Sequence, residues 1–238
     1  MESSKKARRA AVHVELCVED EKGVRLARDG GADRAELARD LSTGGLTPSE
    51  ETFLAALRVA PPSGLRVLVR ENPDSFNLTA HQVALQSQSI RRFVSLLPAG
   101  GPQVGFVVGG LQGRRINLEA ARQWRRAAGH HYLVFHRAFD EIVDQEEALL
   151  QLIDLGYDAV LTTGGSSGKA DPAGLARLRK LGAGRITIIG SGGVREHNAA
   201  EVVVAGELTD VHFRVEDPKA SDQGLAFVQR MVSLTKSI

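Results

Sequence analysis

The stretch Leu133-Val134-Phe135-His136-Arg137-Ala138-Phe139-Asp140 passes abruptly from apolar chain to groups that can do chemistry. Its first three residues have the β-branched and aromatic content of a buried strand, which places His136, Arg137 and Asp140 at or just past a carboxyl end. That is where α/β proteins assemble their sites. A carboxylate four residues on can orient the imidazole, making His136 a base, an acid or a metal ligand. The structural alternative is a strand-end histidine that only hydrogen-bonds a loop. A side chain at such a mouth is expected to add little to the core, about 1 kcal/mol or less on removal.

Other ionisable residues alternate along strand-like runs. With a side-chain period of two, His13, Glu15 and Cys17 share one face of the first run, opposite Val12, Val14 and Leu16. Arg34 and Glu36 share a face of the second, Arg66 and Arg70 of the third, and Asp210 and His212 of the last. Buried charges are costly unless paired, so Glu15, Arg34, Glu36 and Arg70 are expected to form an ion-pair network that either holds strand register or preorganises a polar pocket.

Two glycine-rich turns, Thr162-Thr163-Gly164-Gly165-Ser166-Ser167-Gly168 and Gly190-Ser191-Gly192-Gly193-Val194, offer backbone N–H groups to an anion. The second is expected to lead straight into a helix; the alternative is two tight turns that need positive φ. Gly168-Lys169 does not end a nucleotide-binding P-loop, because position 163 is Thr and position 170 is Ala. No His-Glu-x-x-His, Gly-x-Ser-x-Gly or dinucleotide Gly-x-Gly-x-x-Gly pattern is present, and no lysine ends a strand-like run, which argues against a Schiff-base mechanism. Glu15, Glu36 and His136, with His212 as a further candidate, are the residues that would hold a hard divalent cation; the alternative is that these carboxylates, near two arginines, make salt bridges instead.

The elements that must position these groups alternate regularly. Strand-like runs fall at 12–17, 32–37, 65–70, 104–108, 132–136, 159–162, 186–190 and 210–213. Helix starts stand between them: Thr47-Pro48-Ser49-Glu50 and Thr79-Ala80-His81-Gln82 read as capping boxes, Asp144 precedes Glu147 by three, and Asp171-Pro172 puts proline at a first helical position. Gly30 and Gly182 read as helix stops, and further helices are expected over 19–29, 117–128, 196–205 and 222–236. Eight βα units predict an α/β fold, a closed (βα)8 TIM barrel in a single domain over 12–238 after a disordered tail at 1–11. An open doubly wound sheet is the alternative.

Thirty basic against twenty-nine acidic residues give a net charge of +1, which supplies no summed field for nucleic acid or an anionic membrane. Glu15 interrupts the first apolar segment too early for a signal peptide, and no run is suited to span a bilayer. Cys17 is the one cysteine, so an internal disulfide and a Cys-rich zinc site are both excluded, and a reducing cytoplasmic location is expected.

In this order the motifs Gly30-Gly31-Ala32-Asp33-Arg34-Ala35-Glu36-Leu37, Gly44-Gly45-Leu46-Thr47-Pro48-Ser49 and Phe135-His136-Arg137-Ala138-Phe139-Asp140 resemble the CutC copper-homeostasis family. Glu15-Leu16-Cys17, Arg70, Leu161-Thr162-Thr163-Gly164, Gly190-Ser191-Gly192-Gly193-Val194 and Val211-His212 extend the likeness over nearly the whole chain. The resemblance implies a cytoplasmic (βα)8 barrel, often a homodimer, linked to copper homeostasis and binding copper(I) through cysteine, here Cys17. The chain departs from the family pattern at Glu71-Asn72-Pro73-Asp74-Ser75-Phe76 after Arg70, at Gln112-Gly113-Arg114-Arg115, at Phe213-Arg214, and at Val18 and Ala38, where relatives carry cysteine.

A pocket lined by Glu15, Glu36, Arg70, His136, Asp140, Ser191 and His212 is therefore expected at the carboxyl ends of the strands. One function is copper handling by Cys17; with only Met1 and Met231 as other sulfur donors, binding is expected to be weak and at most one ion per chain. A second is an enzyme on a small anionic or phosphorylated molecule, with His136 as acid or base, Glu15 or Glu36 as its partner, Asp140 beside it, Arg70 on a carboxylate, and Thr163, Gly164, Gly192 and Gly193 on a phosphate. A third is a non-catalytic binding scaffold.

Overall fold

The computed structural model describes residues 11–165, 168–215 and 221–238, so the 1–11 tail and the centre of the first glycine-rich turn fall almost wholly outside the described residues. Eight parallel strands close on themselves. They are β1 (His13–Val18), β2 (Arg34–Leu37), β3 (Leu65–Leu68), β4 (Val104–Val108), β5 (Tyr132–Phe135), β6 (Ala159–Thr162), β7 (Thr187–Gly190) and β8 (Asp210–Arg214), each hydrogen-bonded to its sequence neighbours, with β8 returning to β1. The helices are α1 (Glu21–Asp29), α2 (Glu50–Leu57), α3 (Ala80–Ser95), α4 (Leu118–Ala128), α5 (Gln145–Asp154), α6 (Pro172–Gly182), α7 (Ala199–Ala205) and α8 (Ser221–Lys236), so each strand has its own crossover. No helix among the described residues is long and apolar enough to cross a membrane.

Local chemistry sets the helix starts. Thr79 and Gln82 form the expected reciprocal capping box, Asp144 accepts the Glu147 amide, and Pro172 follows the Asp171 cap. At α2 the cap is Ser49, which accepts the Thr52 amide, rather than Thr47. The Thr47 hydroxyl instead donates to the Arg70 carbonyl and accepts the Arg70 amide, pinning the β2 loop to the end of β3. Gly182 is the last residue of α6, and Ala183 takes the left-handed conformation beyond it. A short hairpin pairs Leu111 with Ile116 and Gln112 with Arg115, an element the alternation of runs does not announce.

The core has two parts. The larger lies between strands and helices and takes Val14, Leu16, Leu37, Leu65, Phe106, Phe135 and Trp124. The smaller fills the barrel interior with Ala38, Leu68, Val107, Val134, Ala159, Leu161 and Ile189. These inner residues come mostly from β3 to β7. The interior next to β8, β1 and β2 is occupied instead by Asp210, His212, Glu15, Cys17, Arg34 and Glu36. Register places Glu15 opposite both Arg34 and His212, and Cys17 opposite Glu36. One side of the barrel lumen is thus hydrocarbon, apart from Arg66 at the start of β3, and the other ionised.

Candidate functional site

Under the mouth lies the charge lattice that makes a polar lumen tolerable. Arg34 donates from Nε to Glu15 at 2.9 Å and from a terminal nitrogen to Asp210 at 2.7 Å, while His212 Nδ1 meets the other Glu15 oxygen at 2.9 Å. Burial alone would push Glu15 up, but Arg34 and His212 outweigh it and hold its carboxyl at about 2. The expected network of Glu15, Arg34, Glu36 and Arg70 is corrected in membership. Asp210 and His212 belong to it, whereas Glu36 and Arg70 do not, because register aims Glu36 at Cys17 and Arg70 lies beyond the end of β3.

Above the lattice a cavity of about 510 Å³ opens at the carboxyl ends of the strands. Its walls include Cys17, Glu36, Arg70, His136, Ser191, Gly192, Gly193 and His212 from the sequence-based set. Glu15, Asp140, Thr163 and Gly164 stand behind the wall. Asp140 accepts the Thr162 hydroxyl at 2.6 Å and the Thr163 amide at 3.0 Å, and it pairs with Arg137 at 2.9 Å. The Gly164 amide donates to Thr162 Oγ1, so the first glycine-rich turn has both of these amides engaged within the protein. In the second turn, Gly192 and Gly193 take φ of +92° and +70° and face the cavity. Residues 195–198 separate that turn from α7, so it does not open directly onto a helix start.

His136 is oriented by backbone rather than by Asp140. Its Nδ1 accepts the Ala138 amide at 3.1 Å, capping the short 3-10 turn that begins at Arg137. Burial, and then the charge of Arg70, lower its pKa to about 3, so the ring is neutral and its proton sits on Nε2. The ring packs 5.0 Å from Phe76 and lies against Gly109, where a Cβ would come within 2.4 Å of it. It is 5 % exposed, so the expectation of little core area at this position does not hold.

Arg70 hangs over the same aromatic ring, 4.8 Å from the Phe76 centroid, and donates to the carbonyls of Gly45 and Pro73. Its Nε keeps no partner among the described residues. Phe76 was not among the sequence-based candidates, and its aromaticity a few residues past a predicted strand end is the signal that could have marked it.

On the opposite wall Cys17 Sγ donates to Glu36 Oε1 at 3.7 Å. Burial first, and then the charges of Glu36 and Glu15, push the Cys17 thiol well above its ordinary range. Burial raises Glu36 to about 7, and its Oε2 has no partner among the described residues. Burial opposes charge on His212, yet Glu36 and Glu15 raise its pKa. One ligand atom from each of Cys17, Glu36 and His212 lies within 4.8 Å of the other two.

That set tests the metal the family motifs imply. Cu(I) prefers two or more sulfur donors, and this one offers a single, protonated thiol, with Met231 buried in the outer core. One sulfur, one nitrogen and one oxygen suit a borderline divalent ion better than Cu(I).

A closed parallel barrel with a polar pocket at its carboxyl mouth defines the molecule as a (βα)8 barrel protein. More narrowly, the chain belongs to the CutC family, whose model matches residues 12–216. It is 33% identical over 201 residues to a CutC family protein of Agrobacterium fabrum, covering 84% of this chain and 77% of that one. Against its counterpart in Rhizobium meliloti it is 34% identical over 206 residues, covering 84% and 80%. The crystal structure of a candidate copper homeostasis protein CutC from Streptococcus agalactiae superposes with a TM-score of 0.77 at 27% identity, covering 84% of this chain and 97% of that one. N-(5'-phosphoribosyl)anthranilate isomerase from Pyrococcus furiosus, 14% identical with a TM-score of 0.58 over 95% of this chain and 100% of its own, shares the fold.

Proposed function

We propose that this barrel binds a small anionic molecule, a carboxylate or phosphate, in its mouth and carries out proton transfer on it. The observation that carries this is that three residues lining one cavity each hold a buried polar atom without a partner among the described residues: Glu36 Oε2, His136 Nε2 and Ser191 Oγ. Buried polar groups are normally satisfied, and leaving them open costs about 1–3 kcal/mol each. A ligand that satisfies them recovers that cost. The lining carries four guanidiniums, from Arg70, Arg137, Arg195 and Arg214, against the one carboxylate of Glu36, and even with Arg137 paired to Asp140 the lining favours an anion.

Each group then has a role its surroundings suit. Neutral His136 offers Nε2–H to an oxygen where negative charge develops, without giving up its proton. Glu36 takes or returns a proton through Oε2. Arg70 presents Nε, and the Gly192 and Gly193 amides present N–H, to the anionic group. A thermal-shift screen of small carboxylates and sugar phosphates tests this. The expected hit stabilises the native chain and loses its effect in Arg70→Gln; ligands that act equally on both proteins would set the proposal aside.

A second reading is favoured by one specific observation, the clustering of Cys17, Glu36 and His212 donors within 4.8 Å. Under it the mouth holds one metal ion, the family's copper or a borderline divalent ion, and Arg70 and His136 only shape the entrance.

A further inference from the structure

At the amino-terminal end of the barrel, opposite the mouth, a second cavity of about 520 Å³ is bounded by Arg66, Gln103, His130, His131, Tyr132 and Asp158. Arg66 points inward from β3, is 4 % exposed, and lies with its guanidinium 4.0 Å above the Tyr132 ring. Its guanidinium makes no hydrogen bond to any described residue, and its Nε is fully enclosed without a partner. The nearby acids are already committed. Glu15 is held by Arg34 and His212, and Asp158 pairs with Arg125 at 3.2 Å and accepts the Leu133 amide at 2.8 Å.

A guanidinium keeps its charge when buried and carries five N–H donors in a planar fork. The Tyr132 ring covers one face of that fork but accepts none of its in-plane donors. A cation that is 4 % exposed, with Nε enclosed and no acceptor among the described residues for its terminal nitrogens, is costly, and those nitrogens are left to an acceptor from outside the chain. The adjoining wall is built of polar rings: His130 and His131 stack at 4.4 Å, and both line the same cavity.

We propose that this end of the barrel is a second, separate anion site, in which Arg66 grips the carboxylate or phosphate group of a small molecule through its two terminal nitrogens with His131 at the rim. The site shares no lining residue with the mouth cavity.

Isothermal titration with inorganic phosphate, carried out on Arg70→Gln protein so that the mouth is disabled, tests it. One phosphate per chain is expected, weakened at least tenfold when Arg66→Met is added. No residual binding in Arg70→Gln, or binding indifferent to Arg66→Met, overturns the proposal. Loss of a mouth ligand on Arg70→Gln alone bears only on the function proposed above. If the double variant does not fold, the imidazole 1H–15N resonances of His131 in Arg70→Gln protein decide. Saturable movement with phosphate supports the site, and unchanged resonances refute it.

Discussion

Replacing Arg34 by Met probes the lattice on which the mouth rests. The guanidinium holds Glu15, 1 % exposed, at 2.9 Å and Asp210, 5 % exposed, at 2.7 Å. Holding Glu15 at about 2 instead of its ordinary 4.5 is worth about 3 kcal/mol. Asp210 loses its partner as well, which puts the whole cost at about 3–5 kcal/mol near neutral pH. The sign with pH follows from linkage. A depressed carboxyl contributes stability that is fully present above 4.5 and is lost as pH falls towards 2. The variant lacks that contribution, and burial without Arg34 favours protonation of Glu15, so acid relieves its penalty. Urea unfolding followed by circular dichroism should therefore give a difference from the parent of about 3–5 kcal/mol at neutral pH, smaller by about 1 kcal/mol or more near pH 4. A difference below about 1 kcal/mol, or one independent of pH, would refute the account of the lattice.

His136→Ala should leave a folded barrel less stable by about 2–3 kcal/mol, because a ring packed on Phe76 and a cap on Ala138 are lost together. In the parent, a histidine held at about 3 disfavours the native state as pH falls below the ordinary 6.5, so the variant should lose stability less steeply between those values; parallel acid-unfolding curves would show the ring is not shielded as described. Competition with a strong Cu(I) chelator should show at most one weakly held ion, abolished by Cys17→Ser; tight binding that survives the substitution would place the copper ligands elsewhere.

The barrel was legible because strand-like runs alternate with helical stretches along the whole chain, and several crossovers carry a cap that can be read directly, such as Thr79, Asp144 and Asp171. Val104–Val108 and Ala159–Thr162 match their apolar runs residue for residue. The misreadings are local. Thr47 and Ser49 are both capping types two residues apart, and their choice depends on the tertiary bond from Thr47 to Arg70. The hairpin at 111–116 is too short to show a period. Within the site, strand alternation found Glu15, Cys17, Arg34, Glu36 and His212, since a period of two fixes which side chains face the lumen. It could not say which charges pair, because that is set by strand register across closure between β8 and β1, a long-range fact. Asp140 went to Thr162 and Thr163 rather than to His136 for a related reason: the tight turn after β5 returns its carboxylate to the β6 end, while the nearer Ala138 amide claims Nδ1.

Native mass spectrometry of freshly purified parent protein and its Arg70→Gln variant tests the mouth pocket most directly. A small anion carried by the parent, or taken up when carboxylates and sugar phosphates are supplied, and lost from the variant, is the predicted result. A parent chain that carries a copper ion and takes up no anion would contradict it.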